Sequence, residues 1–165
     1  MYKKRKVKNM KKTLLSGIFM LALAGCVFAA STKDEALAFF NKYIEAANSY
    51  NTSVTTMYSP NAKIIREVVK SDGTIVPRQT STKRYISEMK KSQAIAKVRH
   101  YKNYYSDITV TPLGQDSYKI SSLRQPSGET YKLKAYMVVQ KQKDGSWLIT
   151  EEMMQTKVQM LINAK

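Results

Sequence analysis

Cysteine and histidine are nearly absent from this sequence of 165 residues, in which Cys26 and His100 are the only examples. A single cysteine excludes an intrachain disulfide and a cysteine-based metal site. A single histidine excludes a histidine-pair metal site and disfavours a Ser-His-Asp triad. The six glycines are scattered singly, so no glycine-rich phosphate loop is present. We therefore predict no metal or cofactor site, and most familiar enzyme classes are disfavoured.

Acidic residues are also few, since 12 Asp and Glu stand against 28 Lys and Arg and give a formal net charge of +16. Hydrophobic residues make up 43% of the chain, which is ordinary for a globular protein and argues against disorder. The length is that of one domain. We find no repeats, low-complexity stretches or interdomain linkers.

The N-terminal residues 1–30 have the composition of a bacterial secretory signal. Residues 3–12 contain seven cations and no acid, and an apolar run follows from Leu14 to Ala30. The run is short and rich in Gly and Ala, which disfavours a membrane-spanning helix. We interpret residues 1–30 as a signal peptide and residues 31–165 as a single exported domain in the periplasm.

Two processing routes for this leader remain open. The segment 23–26 (LAGC) resembles the lipobox of bacterial lipoproteins, in which Cys26 would be lipidated and would anchor the protein to the membrane. Small residues at positions 29–30 offer ordinary signal-peptidase cleavage instead. The two routes differ in whether the mature domain carries a lipid.

Removal of the leader changes the charge. Seven of the 28 cations leave with it, so 21 Lys and Arg remain against 12 acids, a net charge of +9. In an exported domain this charge favours an anionic lipid surface, a cell-wall polymer or an acidic envelope protein as partner. We predict no nucleic-acid partner.

Helical spacing of apolar residues predicts two long helices. The first covers 33–49, opens with a capping box from Thr32 to Glu35, and is followed by a short helix near 52–58. The second is capped within 80–82 and extends to about Lys97, with Tyr85 and Met89 on its apolar face. Its opposite face is basic and comprises Lys83, Arg84, Lys90, Lys91 and Lys97.

Alternating β-branched and aromatic residues predict six strands separated by turns such as 71–74 and 143–145. The predicted strands are 62–70, 74–79, 99–112, 117–124, 130–142 and 146–160. Together with the helices they give the order α-α-β-β-α-β-β-β-β. The fold class is α+β, with a curved antiparallel sheet wrapped around a long helix.

This order resembles the nuclear transport factor 2-like superfamily, which has a cystatin-like cone and includes ketosteroid isomerase. The resemblance rests on the Phe39-Phe40 helix, the turn 58–62 (YSPNA) and the segment 144–149 (DGSWLI) that opens the last strand. It implies a cone enclosing a small pocket and homodimers through the open face of the sheet. We expect Trp147 to be buried against the first helix.

The resemblance also indicates where a catalytic base would lie. Alignment on the turn 58–62 puts Arg66 near the position of the isomerase base, and alternation points the adjacent Glu67 to the opposite face. Two later acids, Asp107 and Glu151, lie in strands and could face inward. The candidate pocket residues are Tyr43, Tyr58, Tyr85, Met89, Met137 and Glu151.

Two functions follow from these residues. The first is an exported, non-catalytic binding or interaction domain of the bacterial envelope with a small apolar pocket. The second is a small enzyme of isomerase or cyclase type that uses an inward carboxylate as its base. Glu151 or Asp107 buried beside Tyr43 or Tyr85 would favour the second, and a closed apolar cone with no inward acid would favour the first.

Overall fold

The computed structural model describes residues 31–162, so the leader, Cys26 and its processing sites lie outside the described residues. The chain forms two long helices, two short 3₁₀ helices and six strands. The helices are α1 (Thr32–Asn48), α2 (Thr82–Val98) and the 3₁₀ segments Thr52–Met57 and Gln159–Ile162. The strands are β1 (Tyr58–Val69), β2 (Ile75–Thr80), β3 (Asn103–Gly114), β4 (Ser117–Pro126), β5 (Leu133–Lys141) and β6 (Trp147–Thr156). The predicted α+β class and order of elements are confirmed.

The six strands form one mixed sheet in the order β2-β1-β6-β5-β4-β3. Every neighbouring pair is antiparallel except β1 and β6, which are parallel. The predicted antiparallel sheet therefore needs one correction. Tight turns dictate only the pairing of consecutive strands, whereas β1 and β6 meet because each has a free edge that the other satisfies.

Bulges bend this sheet into a cone. The β3–β4 register shifts between Ser106 and Thr109, and Asp107 there has a positive φ of 54°. The β5–β6 register shifts between Val138 and Val139, where Thr150 is the extra residue on β6. Each extra residue bends its strand and increases the local twist. The concave face produced in this way receives α1.

The core lies between α1 and the concave face. Ala36, Phe40 and Tyr43 follow one another at helical spacing and are buried on the sheet. The fully buried sheet residues beneath them include Ile64, Ile120 and Ile149. Helix α2 buries only Thr82, whose hydroxyl donates to the carbonyl of Ala62 at 2.7 Å. Its five predicted basic residues are all exposed.

Helix α1 begins one residue earlier than its predicted cap implied. Ser31 is extended, with φ −63° and ψ 151°, and its hydroxyl accepts from the amide of Asp34 at 3.2 Å. Thr32 is already helical, and its hydroxyl is hydrogen-bonded to that of Tyr118 at 2.5 Å. The capping box therefore consists of Ser31 and Asp34, one residue upstream of the predicted Thr32–Glu35 box and with the same spacing.

Trp147 is half-buried, which differs from the expected burial. It stands at the first position of β6, on the rim of the sheet, where one side of the ring lies against Tyr118 with centroids 6.1 Å apart. Its indole N–H donates to Glu35 Oε2 at 3.3 Å, and Lys141 Nζ lies 2.6 Å from the same oxygen. The rim position leaves the side chain only partly covered.

Within residues 31–162, no helix is both long enough and apolar enough to span a membrane.

Candidate functional site

A fully buried carboxylate, Glu152, lies on the concave face of the sheet. Alternation counted from the buried Ile149 would turn Glu151 inward. Val139 pairs with Ile149 and Val138 pairs with Glu151, so Thr150 is an extra residue between them. This extra residue reverses the alternation, and every later side chain of β6 lies on the opposite face from the one expected. Glu152 is consequently inward and 0% exposed.

Glu151 consequently lies on the outer face of the sheet, contrary to its predicted place in the pocket. Its carboxylate accepts from the hydroxyl of Tyr136 at 2.5 Å and lies 3.8 Å from Lys63 Nζ. The second candidate acid, Asp107, is exposed in the β3 bulge. Neither acid approaches Tyr43 or Tyr85.

Both oxygens of Glu152 have partners. Arg66 Nη2 donates to Oε1 at 2.6 Å, and the hydroxyl of Tyr58 donates to Oε2 at short range. The hydroxyl of Tyr43 reaches the same Oε2 at 3.3 Å. Tyr85 completes the group, since its ring lies 4.6 Å from the guanidinium carbon of Arg66 and packs edge-on against Tyr58. We call these five residues the Glu152 cluster.

The cluster stabilises neutral tyrosines and a charged arginine. Burial, reinforced by the negative charge of Glu152, raises the pKa of Tyr43 and of Tyr58 well above the ordinary value. The same two causes raise the pKa of Tyr85 to about 12. Burial alone would lower the pKa of Arg66, but the partners around it, Glu152 among them, outweigh that effect and raise it. Arg66 therefore remains a permanent counter-ion to Glu152.

This arrangement is poorly suited to proton abstraction. A general base needs a lone pair within hydrogen-bond reach of the substrate proton. In the Glu152 cluster the guanidinium occupies one oxygen and two hydroxyls occupy the other, and the carboxylate has no exposed surface. Arg66 also faces into the cone, where it pairs with the inward acid.

A cavity of about 150 Å³ lies beside the cluster, between α1 and α2; we call it the interhelical cavity. Of the predicted pocket residues, Tyr43, Tyr85 and Met89 line it. Tyr58 belongs to the Glu152 cluster, and Met137 is buried on β5 opposite Glu152. The remaining lining residues are Ala47, Asn48, Tyr50, Val54, Ser92, Gln93, Ala96, Tyr101, Asn103 and Met154.

Sequence reasoning missed Glu152, although one signal was available. Alternation places two adjacent strand residues on opposite faces, so the pair Glu151-Glu152 guaranteed one acid on the concave side in either register. Only the bulge decides which of the two it is. Glu67 points away from the cone as expected, and its carboxylate accepts from Gln155 Nε2 at 3.0 Å.

Across residues 31–162, no three acidic, histidine or cysteine side chains are grouped closely enough to hold a metal ion.

No protein-family model and no curated protein matches this sequence. Solved structures do match. A domain of unknown function with a cystatin-like fold from Nostoc punctiforme PCC 73102 is 15% identical, with a TM-score of 0.54 over 82% of this chain and 83% of that one. An NTF-2 like protein of unknown function from Shewanella oneidensis MR-1 is 15% identical, with a TM-score of 0.57 over 76% of this chain and 100% of that one.

A third match comes from the yeast deubiquitinase Ubp3 and Bre5 cofactor complex, with 18% identity and a TM-score of 0.56 over 75% of this chain and 95% of that one. These structures share the cone of helices and curved sheet described above. The fold is therefore that of the nuclear transport factor 2-like, cystatin-like proteins. At such identities the likeness concerns fold alone, and fold does not imply function.

Proposed function

We propose that this chain is an exported, non-catalytic binding domain of the bacterial envelope, and that it binds a small ligand in the interhelical cavity. The observation that carries the proposal is the closed Glu152 cluster. Within residues 31–162 the one inward acid, Glu152, is ion-paired at 2.6 Å and has no exposed surface, while a separate cavity remains beside it. The export signal predicted for residues 1–30 supports an envelope location.

The walls of the cavity suit binding. Met89, Ala96 and Met154 supply apolar surface, and Tyr43 and Tyr85 add aromatic surface. Small-molecule sites combine such apolar walls with a few polar groups that fix orientation. Both oxygens of Glu152 already accept from Arg66, Tyr58 and Tyr43, so a bound ligand would contact the tyrosines of the cluster and not the carboxylate.

The second candidate function is isomerase or cyclase chemistry with Glu152 as the base. The burial of Glu152 beside Tyr43 and Tyr58 favours this candidate, since such enzymes use inward carboxylates together with hydroxyl donors. The ion pair with Arg66 argues against it. The two candidates differ in what happens when Glu152→Gln removes the carboxylate: ligand binding survives in a binding domain, and turnover is abolished in an enzyme.

A matched pair of substitutions on α2 tests the location of binding. Ala96 lines the interhelical cavity, whereas Ala94 is exposed on the same helix. Ala96→Leu fills the cavity, so we expect it to abolish binding of the aromatic probes benzamide and benzoate, measured by NMR shift changes on the mature domain. Ala94→Leu makes the same chemical change outside the cavity and should leave binding intact. Absence of probe binding to the wild type, or equal binding by both variants, would contradict the proposal.

We also propose that the outer face of the sheet pairs two copies of the domain, as the resemblance implies. A recess on this face is bordered by charged and polar groups, including Glu67, Lys119 and Tyr136. Sedimentation of the mature domain over a range of concentrations measures the monomer and dimer fractions directly. A monomer at every concentration would contradict the pairing.

A further inference from the structure

A second charged group, Arg124, is buried in the cone without a carboxylate. The residue is 6% exposed, and no Asp or Glu among residues 31–162 forms an ion pair with it. Its Nη1 donates to Asn103 Oδ1 and its Nη2 to the carbonyl of Gln155, each at 2.7 Å. Its Nε–H is buried and has no hydrogen-bond partner in the described part of the chain.

Such a group is unusual because an arginine side chain does not lose its proton in proteins. Buried charges are normally paired, and buried N–H groups normally have acceptors. Neutral oxygens of Asn103 and Gln155 satisfy part of the guanidinium, but they contribute no negative charge. Arg124 is therefore a buried cation with both a missing counter-ion and a missing acceptor.

The guanidinium lies directly behind the wall of the interhelical cavity. Tyr101 and Asn103, which contact Arg124 Nη1, both line the cavity. The contact with the Tyr101 hydroxyl is 3.5 Å long, at the limit of a hydrogen bond, so a better acceptor would displace it readily. Tyr101 is 40% exposed and has room to move.

A second unpaired group borders the same cavity. The hydroxyl of Tyr50 is buried and has no partner among the described residues, and Tyr50 lines the interhelical cavity. The cavity region thus combines one buried cation with two donors that lack acceptors. No aspartate or glutamate side chain belongs to the cavity wall.

We propose that the ligand of the interhelical cavity is a small carboxylic acid with an apolar or aromatic body, whose carboxylate replaces the Tyr101 contact on Arg124. This inference rests on the proposed function and names its ligand class. A carboxylate at Nη1 supplies the missing negative charge to Arg124, and the Tyr50 hydroxyl, which borders the same cavity and has no acceptor among the described residues, can donate to it. The body of the ligand lies between Tyr43, Tyr85 and Met89. Cavities of about 150 Å³ accommodate a ring the size of benzene, which sets the size of that body.

Benzoate and benzamide test the inference, because they have the same shape and differ in charge. Titrations of the mature domain followed by NMR should give tighter binding for benzoate, by about tenfold to a hundredfold, the range expected when a hydrogen bond gains a charge. Arg124→Gln should remove this preference and leave the two probes with similar affinity.

Tyr50→Phe provides a test that does not depend on the folding of the Arg124 variant. The Tyr50 hydroxyl has no partner within residues 31–162, so its removal should leave the melting temperature unchanged. We expect benzoate affinity to fall about threefold to tenfold. Tyr104→Phe is the matched control, since Tyr104 is 56% exposed on β3, and it should leave the affinity unchanged.

The outcomes separate the ligand class from the proposed function. Equal affinity for benzoate and benzamide, both blocked by Ala96→Leu, would overturn the carboxylate inference and retain a binding cavity. Benzoate binding that Ala96→Leu does not affect would place the anion on the basic surface and overturn the inference. Absence of binding for both probes would overturn the inference and the proposed function together.

Discussion

The ion pair between Arg66 and Glu152 offers the sharpest test of the reasoning. The side chain of Arg66 is 16% exposed and that of Glu152 is fully buried, with 2.6 Å between Nη2 and Oε1. Arg66→Met keeps much of the side-chain volume and leaves a buried carboxylate without its cation. Breaking a buried pair from one side costs about 3–5 kcal/mol.

We expect the cost of Arg66→Met to fall at the lower end, about 3 kcal/mol, because the hydroxyls of Tyr58 and Tyr43 still donate to the carboxylate. For a domain of this size that is a fall of about 10–15 °C in melting temperature. The double variant Arg66→Met, Glu152→Gln carries no unpaired charge. It should be more stable than Arg66→Met alone, although it contains one more substitution.

Urea unfolding followed by the fluorescence of Trp147 and by circular dichroism gives the free energies for the double-mutant cycle. Lys63→Met is the matched control, since Lys63 also lies on β1 but is 51% exposed and 3.8 Å from Glu151. Exposed pairs contribute about 0–1 kcal/mol, so its effect should be small. The reasoning is refuted if Arg66→Met costs no more than this control, or if the two cluster substitutions are additive.

Three further predictions concern the leader, the surface and the buried tyrosines. If the lipobox is used, fatty-acid labelling should mark the protein and Cys26→Ser should abolish the label; an unlabelled soluble chain that starts near residue 30 would contradict this. If the basic face of α2 contacts anionic lipid, the mature soluble domain should bind anionic vesicles with about 1 kcal/mol per cation, and binding should weaken at high salt. Changing Lys83, Lys90 and Lys91 to Gln should weaken binding as well. Equal binding by both proteins, or none by either, would show that the face only solubilises the domain. The tyrosines of the Glu152 cluster have folded-state pKa values above the unfolded value of about 10. Their contribution to the free energy of unfolding is therefore complete below pH 10 and is lost as pH rises beyond it. Tyrosinate absorbance should therefore rise in two steps, the second with unfolding, and a single step in a folded protein would contradict the cluster.

Local sequence patterns suffice for most of the element order. The pair Asp72-Gly73 predicts a turn from the sequence alone. The structure has that turn, with a positive φ of 85° at Gly73 and a hydrogen bond from the amide of Thr74 to Asp72 Oδ1. The turn at Asp144-Gly145 is built in the same way. Helix periodicity likewise predicts a helix over most of α1. These signals are local, since each depends on residues a few positions apart.

Tertiary structure decided the features of the candidate site. The parallel pairing of β1 with β6 joins segments about ninety residues apart, and no turn signal encodes it. The extra residue Thr150 decides that Glu152, and not Glu151, enters the cone, because one inserted residue reverses every following side chain. Arg66 then meets that carboxylate only because its strand is the neighbour of β6. The sequence by itself determined which elements form and in what order; the long-range pairing and one bulge determined which acid is buried, and therefore whether it is available for chemistry.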